Sequence, residues 1–478
     1  MYGTVYVHYV ASGAGAGVDD RYNHSGRYTT EDGTVSANVD LVAASDCLNA
    51  VKRVVVDVNY TSDPLPGLRA VTERLRAVAG TWHRVRALEL SMRSSVSRLH
   101  RHSADAAEHM GDIEKVGNAL SAIFPGLREL KLGETSNNRI TRALYEQLVG
   151  HYANQLMVLY SKHPVTVPYG RQLEQIKVVA IDGDDFPGYQ LPRMRPDNIE
   201  SMLLKWLPAS HSWAAFRADG DSQAIEFPRL RRLGVSYSGP NKTNVVVGQH
   251  LDDGPRALQF PALRHLAIEN PQTVCPLLKH AVFPSRLESI EIVASTAMLE
   301  QVASIALPET RSLAIHIPSQ ARGGASALPN AKRILDRAGG CKKKELVVGD
   351  TSLQVPPEDI AGTGLTRLVV AAPTCVDSMF GFIDTHPDLD SLTLSNLALD
   401  EIVSDISIPE SGARALMAPL DTRIRTLSFK IRRQLYSPDL AIPVAKYLLL
   451  RIPTLAEFFA PEIPRRPIVD FISEHVQR

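Results

Sequence analysis

The chain has no surplus of either charge: lysine and arginine together number 52, aspartate and glutamate 52, and the formal net charge is zero. Proteins that hold nucleic acid or anionic lipid through bulk electrostatics carry an excess of cations, so neither partner is expected. Long apolar runs are missing as well, and no stretch approaches the roughly 20 apolar residues that a membrane-spanning helix needs. The opening Val5-Tyr6-Val7-His8-Tyr9-Val10 lacks the basic start and apolar core of a secretory leader, which makes the cytoplasm or nucleus the expected location. Cysteine is scarce. Cys47, Cys275, Cys341 and Cys375 stand far apart and form no C-x-x-C pair, which excludes a zinc knuckle or dithiol motif and leaves buried reduced thiols as the expectation. Enzyme signatures are absent too: no G-x-S-x-G elbow, no G-x-x-x-x-G-K-[ST] loop, no H-E-x-x-H and no kinase motif set occurs. Neither a cofactor nor a metal is expected.

What the chain does have is a recurring phrase, an apolar residue and proline followed by leucine, two residues, leucine, one residue, and leucine, isoleucine or valine. It runs from Phe124 to Leu132, from Phe227 to Val235 and from Phe260 to Ile268. Looser copies place apolar residues three and then two positions apart at Val51/Val54/Val56, Val85/Leu88/Leu90, Leu173/Ile176/Val178 and Leu287/Ile290/Ile292. Thr310/Leu313/Ile315, Lys343/Leu346/Val348, Leu365/Leu368/Val370, Leu389/Leu392/Leu394 and Ile424/Leu427/Phe429 follow. From residue 266 the central positions are 266, 290, 313, 346, 368, 392 and 427. Most of these gaps fall in the range of about 20 to 29 residues typical of leucine-rich repeats, and the longer ones leave room for a helix.

The last two apolar positions of each phrase share one side of a strand, and the residue between them takes the other. Helical patterns separate the phrases: Leu68, Val71, Leu75 and Val78 on one face over Leu65–Ala79, and Ile199, Met202, Leu203 and Trp206 over Asn198–Leu207. Strand and helix in alternation predict parallel strands joined by helical crossovers. The expected fold is α/β, an irregular leucine-rich-repeat solenoid with a curved parallel sheet on its concave side and helices on its convex side. Residues 1–50 read as an N-terminal strand and a flexible polar segment, and 51–478 as the solenoid with a C-terminal helical cap. The glycines of 13–17 and the polar stretch 21–33 read as a surface loop, as do 183–196, 236–255 and 319–329.

Function is expected on the concave strand positions. There charged residues give way to small and apolar ones, and Ala267, Glu291, Ala314, Val347, Val369 and Thr393 form a strip suited to a protein partner. Basic clusters at Arg231-Arg232, Lys342-Lys343-Lys344 and Lys430-Ile431-Arg432-Arg433 lack interleaved aromatics and read as solvated surface. One chemical alternative exists: His265, Glu269, Glu291 and His316 fall at or near concave positions, and imidazole with carboxylate can hold zinc or move protons. That alternative is a metal-dependent or hydrolytic enzyme around His265 and His316. Another is a degenerate paralogue that keeps no partner.

These phrases, their uneven spacing, and the block Val51-Lys52-Arg53-Val54-Val55-Val56-Asp57-Val58 followed by Pro64-Leu65-Pro66-Gly67-Leu68 resemble the repeat regions of fungal F-box and leucine-rich-repeat proteins. The resemblance covers most of the chain from about residue 40 onward. It implies a substrate-recognition subunit of a cullin-type ubiquitin ligase, in which an N-terminal F-box docks on a Skp-type adaptor and the repeats select the substrate. No F-box reads out before the first repeat here, so the adaptor is expected as a partner only if that module lies upstream. The asparagine ladder of regular repeats is also missing: its positions hold Thr135, Ser238, Pro271, Ser295, Pro318, Thr351, Pro373 and Leu397. The turns must therefore satisfy their backbone groups in another way.

Overall fold

A computed structural model describes residues 3–11, 27–30, 33–37, 51–60, 63–79, 81–94, 109–133, 139–162, 172–182, 193–207, 225–237, 258–270, 281–319, 327–398, 422–431 and 438–475. They fall into two compact units. The first holds the described residues up to 237 together with 258–263 and 281–282; the second holds 264–270 and those from 283 onward.

The main strands of the first unit are β1 (Gly3–Ala11), β2 (Arg27–Thr30), β3 (Gly33–Ala37), β4 (Val51–Tyr60) and β5 (Ala87–Ser94). They continue with β6 (Glu129–Leu132), β7 (Val158–Ser161), β8 (Val178–Asp182), β9 (Ser201–Leu207) and β10 (Arg232–Tyr237). β1 pairs in parallel with β4, and each later strand pairs in parallel with the next through β10. β3 is antiparallel to both β1 and β2. Helices α1 (Leu65–Ala79), α2 (Met110–Ile123) and α3 (Arg139–Tyr152) form the crossovers from β4 to β7. The short segments Ile225–Glu226, Leu258–Gln259 and Ala281–Val282 make a separate parallel ribbon.

In the second unit β11 (His265–Asn270), β12 (Arg286–Ala294), β13 (Glu309–Ile317), β14 (Lys343–Val348), β15 (Arg367–Val370), β16 (Ser391–Ala398), β17 (Thr426–Ile431) and β18 (Glu457–Phe459) pair in parallel, each with the next. Between them lie α4 (Thr296–Ser304), α5 (Ala327–Arg337), α6 (Pro357–Ile360), α7 (Val376–Thr385) and α8 (Pro438–Arg451), and α9 (Arg465–His475) follows β18. The architecture is thus mixed α/β with extensive parallel sheet, and the described residues form no closed barrel. Among them no helix is long and apolar enough to cross a membrane.

The phrase works by burying all its apolar members. Phe260, Leu263, Leu266 and Ile268 are at most 2% exposed, as are Phe227, Leu230, Leu233 and Val235. Where helices are described they supply the other half of the core: Ile113, Val116, Leu120 and Ile123 of α2, and Leu328, Ala331, Ile334 and Leu335 of α5, are buried. Phe227 and Phe260 stack in successive phrases with ring centroids 5.2 Å apart, a geometry that adds to their burial energy.

A backbone relay recurs at the strand starts, at the opposite end of the phrase from the positions where regular repeats use asparagine. At the start of a strand, one carbonyl accepts two amides from the next repeat: Arg86 O from Arg128 N and Glu129 N, Arg128 O from Met157 N and Val158 N, Met157 O from Lys177 N and Val178 N. In the second unit Thr366 O, Asp390 O and Arg425 O each do the same for the following strand. Both lone pairs of the carbonyl are used, so these turns need no side chain to satisfy them.

Several local expectations change. The segment 198–207, expected as a helix, is the turn Pro196–Asn198 and then β9, because Ile199, Met202 and Leu204 follow the phrase spacing and are the buried residues. The strand expected at Leu173/Ile176/Val178 is shifted: Val179 and Ile181 face the core and pair with Leu159 and Ser161 of β7, a strand not anticipated. Within the polar stretch 21–33, residues 27–30 form β2. Cys341 and Cys375 are free but half-buried, not buried as expected, while Cys47 and Cys275 lie outside the described residues. So do the glycines of 13–17 and most of the expected loops 183–196, 236–255 and 319–329, at 183–192, 238–255 and 320–326; of the rest, 236–237 end β10 and 327–329 open α5, so they are not loop.

Candidate functional site

On each strand of the second unit the residues between the buried positions form a half-exposed face. The pairing register sorts them into rows that run across the strands. One row is Ala267, Glu291, Ala314, Glu345, Arg367, Ser391, Thr426 and Glu457. The next, two residues further along each strand, is Glu269, Val293, His316, Val347, Val369, Thr393, Ser428 and Phe459. All six residues of the expected strip lie on this face, but not in one line. Ala267, Glu291 and Ala314 share the first row; Val347, Val369 and Thr393 share the second.

The offset arises between β13 and β14, where Ile315 pairs with Leu346 and Leu313 with Lys344. Matching the phrases by sequence set Leu313 against Leu346, a slide of two residues. Lys344 thus occupies a core position: it is 7% exposed, and its ammonium donates to Leu335 O and to Thr363 O, each at 2.8 Å. This corrects the reading of the lysine cluster as solvated surface: Lys342 and Lys343 are exposed, but the third lysine is a buried brace. A cation at the C-terminal turn of α5 also complements the helix dipole.

From Val293 to Phe459 the second row carries no carboxylate, lysine or arginine. Most of its side chains are half-exposed and Phe459 is 55% exposed. At a strand spacing of about 4.8 Å the row runs for roughly 29 Å. The first row is more charged, with Glu345 and Arg367 paired at 3.0 Å. At the β11–β12 end stand Glu269 and Glu291, and among the described residues neither carboxylate has a cationic partner.

The residues of the chemical alternative are spread over this face. His265 hydrogen-bonds Ser289 through Nδ1 at 2.8 Å and lies 3.5 Å from Glu288 through Nε2. His316 is two strands away and four residues further along, roughly 16 Å by strand geometry. Glu269 and His316 share a row but are separated by Val293. Among the described residues no three His, Cys, Asp or Glu side chains gather where they could hold a metal ion together.

The equivalent face of the first unit is built differently. Its row Val55, Glu89, Lys131, Tyr160, Ala180, Leu203 and Gly234 centres on Glu89, which accepts from Arg53 and from Lys131 Nζ at 2.6 Å. Burial would raise its pKa, but the bonds and charges of Lys131 and Arg53 outweigh that and hold the carboxyl below its ordinary range. Tyr160 and Leu203 are 39% and 40% exposed on this row; both were missed because β7 and β9 were not read as strands. A cleft of about 700 Å³ in the second unit, with Arg286, Glu309, Arg337 and Cys341 at its rim, is floored by Ile290, Leu313 and Ile334. These are at most 1% exposed and offer a ligand little surface.

Compared with known protein families, with curated proteins and with solved structures, the chain finds no match.

Proposed function

We propose that this protein is a non-enzymatic protein-interaction scaffold, an irregular leucine-rich-repeat solenoid that receives a partner on the half-exposed sheet face of its second unit. The observation that carries the reading is the uncharged row from Val293 to Phe459, whose apolar members Val347, Val369 and Phe459 are accessible to solvent. Half-exposed apolar side chains on a row without carboxylate, lysine or arginine favour burial against another molecule, and a parallel sheet holds them rigidly enough to cost little entropy on binding. The phrase spacing and the strand–helix alternation support the solenoid. A cytoplasmic or nuclear location fits the sequence.

The narrower form is a substrate-recognition subunit like those of cullin-type ubiquitin ligases, which rests on the resemblance of the repeats to fungal F-box proteins. Affinity purification from native lysate with mass spectrometry tests the general reading, comparing wild type with Val347→Glu/Val369→Glu. A partner enriched by wild type and lost from the folded double variant supports the scaffold. Enrichment of chaperones alone would leave a degenerate paralogue as the better account. Recovery of a Skp-type adaptor, from this chain or one extended upstream, is the outcome the ligase reading requires.

A further inference from the structure

On the scaffold reading, we infer that the segment received by the second unit is an amphipathic stretch of a partner protein that places lysine or arginine over Glu269 and Glu291 and apolar side chains over Val347 and Val369. Both carboxylates stand at one end of the row, on neighbouring strands and two residues apart in register, with Glu291 exposed and Glu269 half-exposed. The other acidic side chains on these two rows are engaged: Glu345 pairs with Arg367 at 3.0 Å, and Glu457 accepts from the Thr426 hydroxyl at 3.3 Å. Among the described residues Glu269 and Glu291 are the carboxylates on these two rows with neither an ion pair nor a hydrogen bond. Two solvent-accessible carboxylates about 8 Å apart, by strand spacing and rise, attract one or two cations more strongly than either would alone.

Beyond Glu269 the second row carries no further carboxylate, lysine or arginine, while the first row beyond Glu291 holds the Glu345–Arg367 ion pair and, at its far end, Glu457. The next strands present His316, Val347, Val369 and Thr393, so a bound segment meets carboxylates first and an uncharged track after them. From Glu291 on β12 to Val347 on β14 is two strand steps and two residues along the strand, about 12 Å, and Val369, one strand further, is about 16 Å away. A helix rises about 5.4 Å per turn, close to one strand spacing, so a cationic residue and apolar residues two and three turns later fall in register with the face. An acidic segment would meet repulsion at Glu269 and Glu291. Charge therefore sets the class of partner and its direction along the row, while the valines supply burial.

The test is selection on the full-length chain with a phage-displayed library of random 16-residue peptides, followed by fluorescence anisotropy with the enriched peptide. The expected consensus carries lysine or arginine with apolar residues on the same helical face. Its affinity should fall about tenfold or more in Glu269→Gln/Glu291→Gln and weaken with added salt. It should be lost in Val347→Glu/Val369→Glu and be unchanged in Glu300→Gln on α4. Circular dichroism confirms that each variant is folded. A consensus without cations, an affinity indifferent to the glutamine pair, or no enriched peptide would each overturn the inference. The scaffold reading fails separately: if lysate capture depends on Val347 and Val369 while the glutamine pair has no effect, the scaffold stands and the cationic partner does not.

Discussion

Lys344 offers the sharpest test of how the second unit holds together. Its stem lies in the core between β14 and α5, and its ammonium joins the carbonyl of Leu335 in the last turn of α5 to that of Thr363 in the chain leading to β15. Replacing it by methionine keeps most of the stem and removes the donor. Thr363 O then loses its buried partner, at about 1–3 kcal/mol; Leu335 O keeps a shared bond from Ala338 N at 3.2 Å and loses less. Relief of the ammonium's own burial returns part of this. The expected net cost is about 2 kcal/mol for Lys344→Met. Lys344→Ala also removes three methylenes, at about 0.8 kcal/mol each, and should cost about 4 kcal/mol. In a unit of this size 1 kcal/mol corresponds to roughly 2–4 °C, so the methionine variant should melt about 4–8 °C lower. Because the chain has two compact units, the melt should be paired with hydrogen exchange at the Thr366 amide, which donates to Lys344 O at 2.9 Å. A methionine variant that melts at or above wild type would refute the brace and make Lys344 a tolerated burial of charge.

His386 plays a related part between α6 and α7: it is 1% exposed, with Nε2 2.9 Å from Ile360 O and Nδ1 2.8 Å from Thr385 Oγ. His386→Leu removes one of two donors to the Ile360 carbonyl, which keeps the Thr363 hydroxyl at 2.8 Å, and should cost about 1 kcal/mol in a urea titration; no shift in midpoint would contradict this. Phe260→Ala removes one ring of the Phe227 stack and should cost about 3–5 kcal/mol, against less than about 1.5 kcal/mol for Phe260→Leu if packing volume decides the matter. For Glu89 the folded carboxyl titrates below its ordinary 4.5. Its contribution to stability is therefore present above that value and lost as pH falls through the lower folded one. The effect is small because Arg53 and Lys131 are 41% and 42% exposed. An NMR titration of Glu89 should show its midpoint rise in Lys131→Met, and an unmoved midpoint would remove Lys131 as a cause.

Where burial alone decides structure, the spacing of apolar residues was enough. Leu127, Leu130 and Leu132 admit one arrangement that hides all three, and the helix over Leu65–Ala79 follows equally from Leu68, Val71 and Leu75. Ambiguity entered where two arrangements hide the same residues. Ile199, Met202 and Trp206 fit a helical period, but Ile199, Met202 and Leu204 fit the strand phrase, and the pairing of β9 with both β8 and β10 decides between them. β7 escaped notice because Ser161, 5% exposed, stands where the phrase has an aliphatic residue.

The two-residue slide at β14 has a deeper origin, and it governs what can be said of the site. A strand shifted by one residue turns its apolar side chains to solvent and is strongly disfavoured; shifted by two, it keeps every side chain on its original face. Leu313, Ile315 and Ile317 offer three equivalent core positions, so apolar pattern cannot choose which of them meets Leu346. In the register adopted, Lys344 lies beside Leu313 and its ammonium bonds Leu335 O and Thr363 O. The composition of the candidate surface was therefore legible from alternation, but its alignment was not. His316 joins Val347 and Val369, while Glu291 moves to the adjoining row. That Glu269 and Glu291 lack a cation was likewise hidden, since it depends on which residue the register sets opposite each carboxylate. Val293 and Ala314 stand there, and neither can neutralise it.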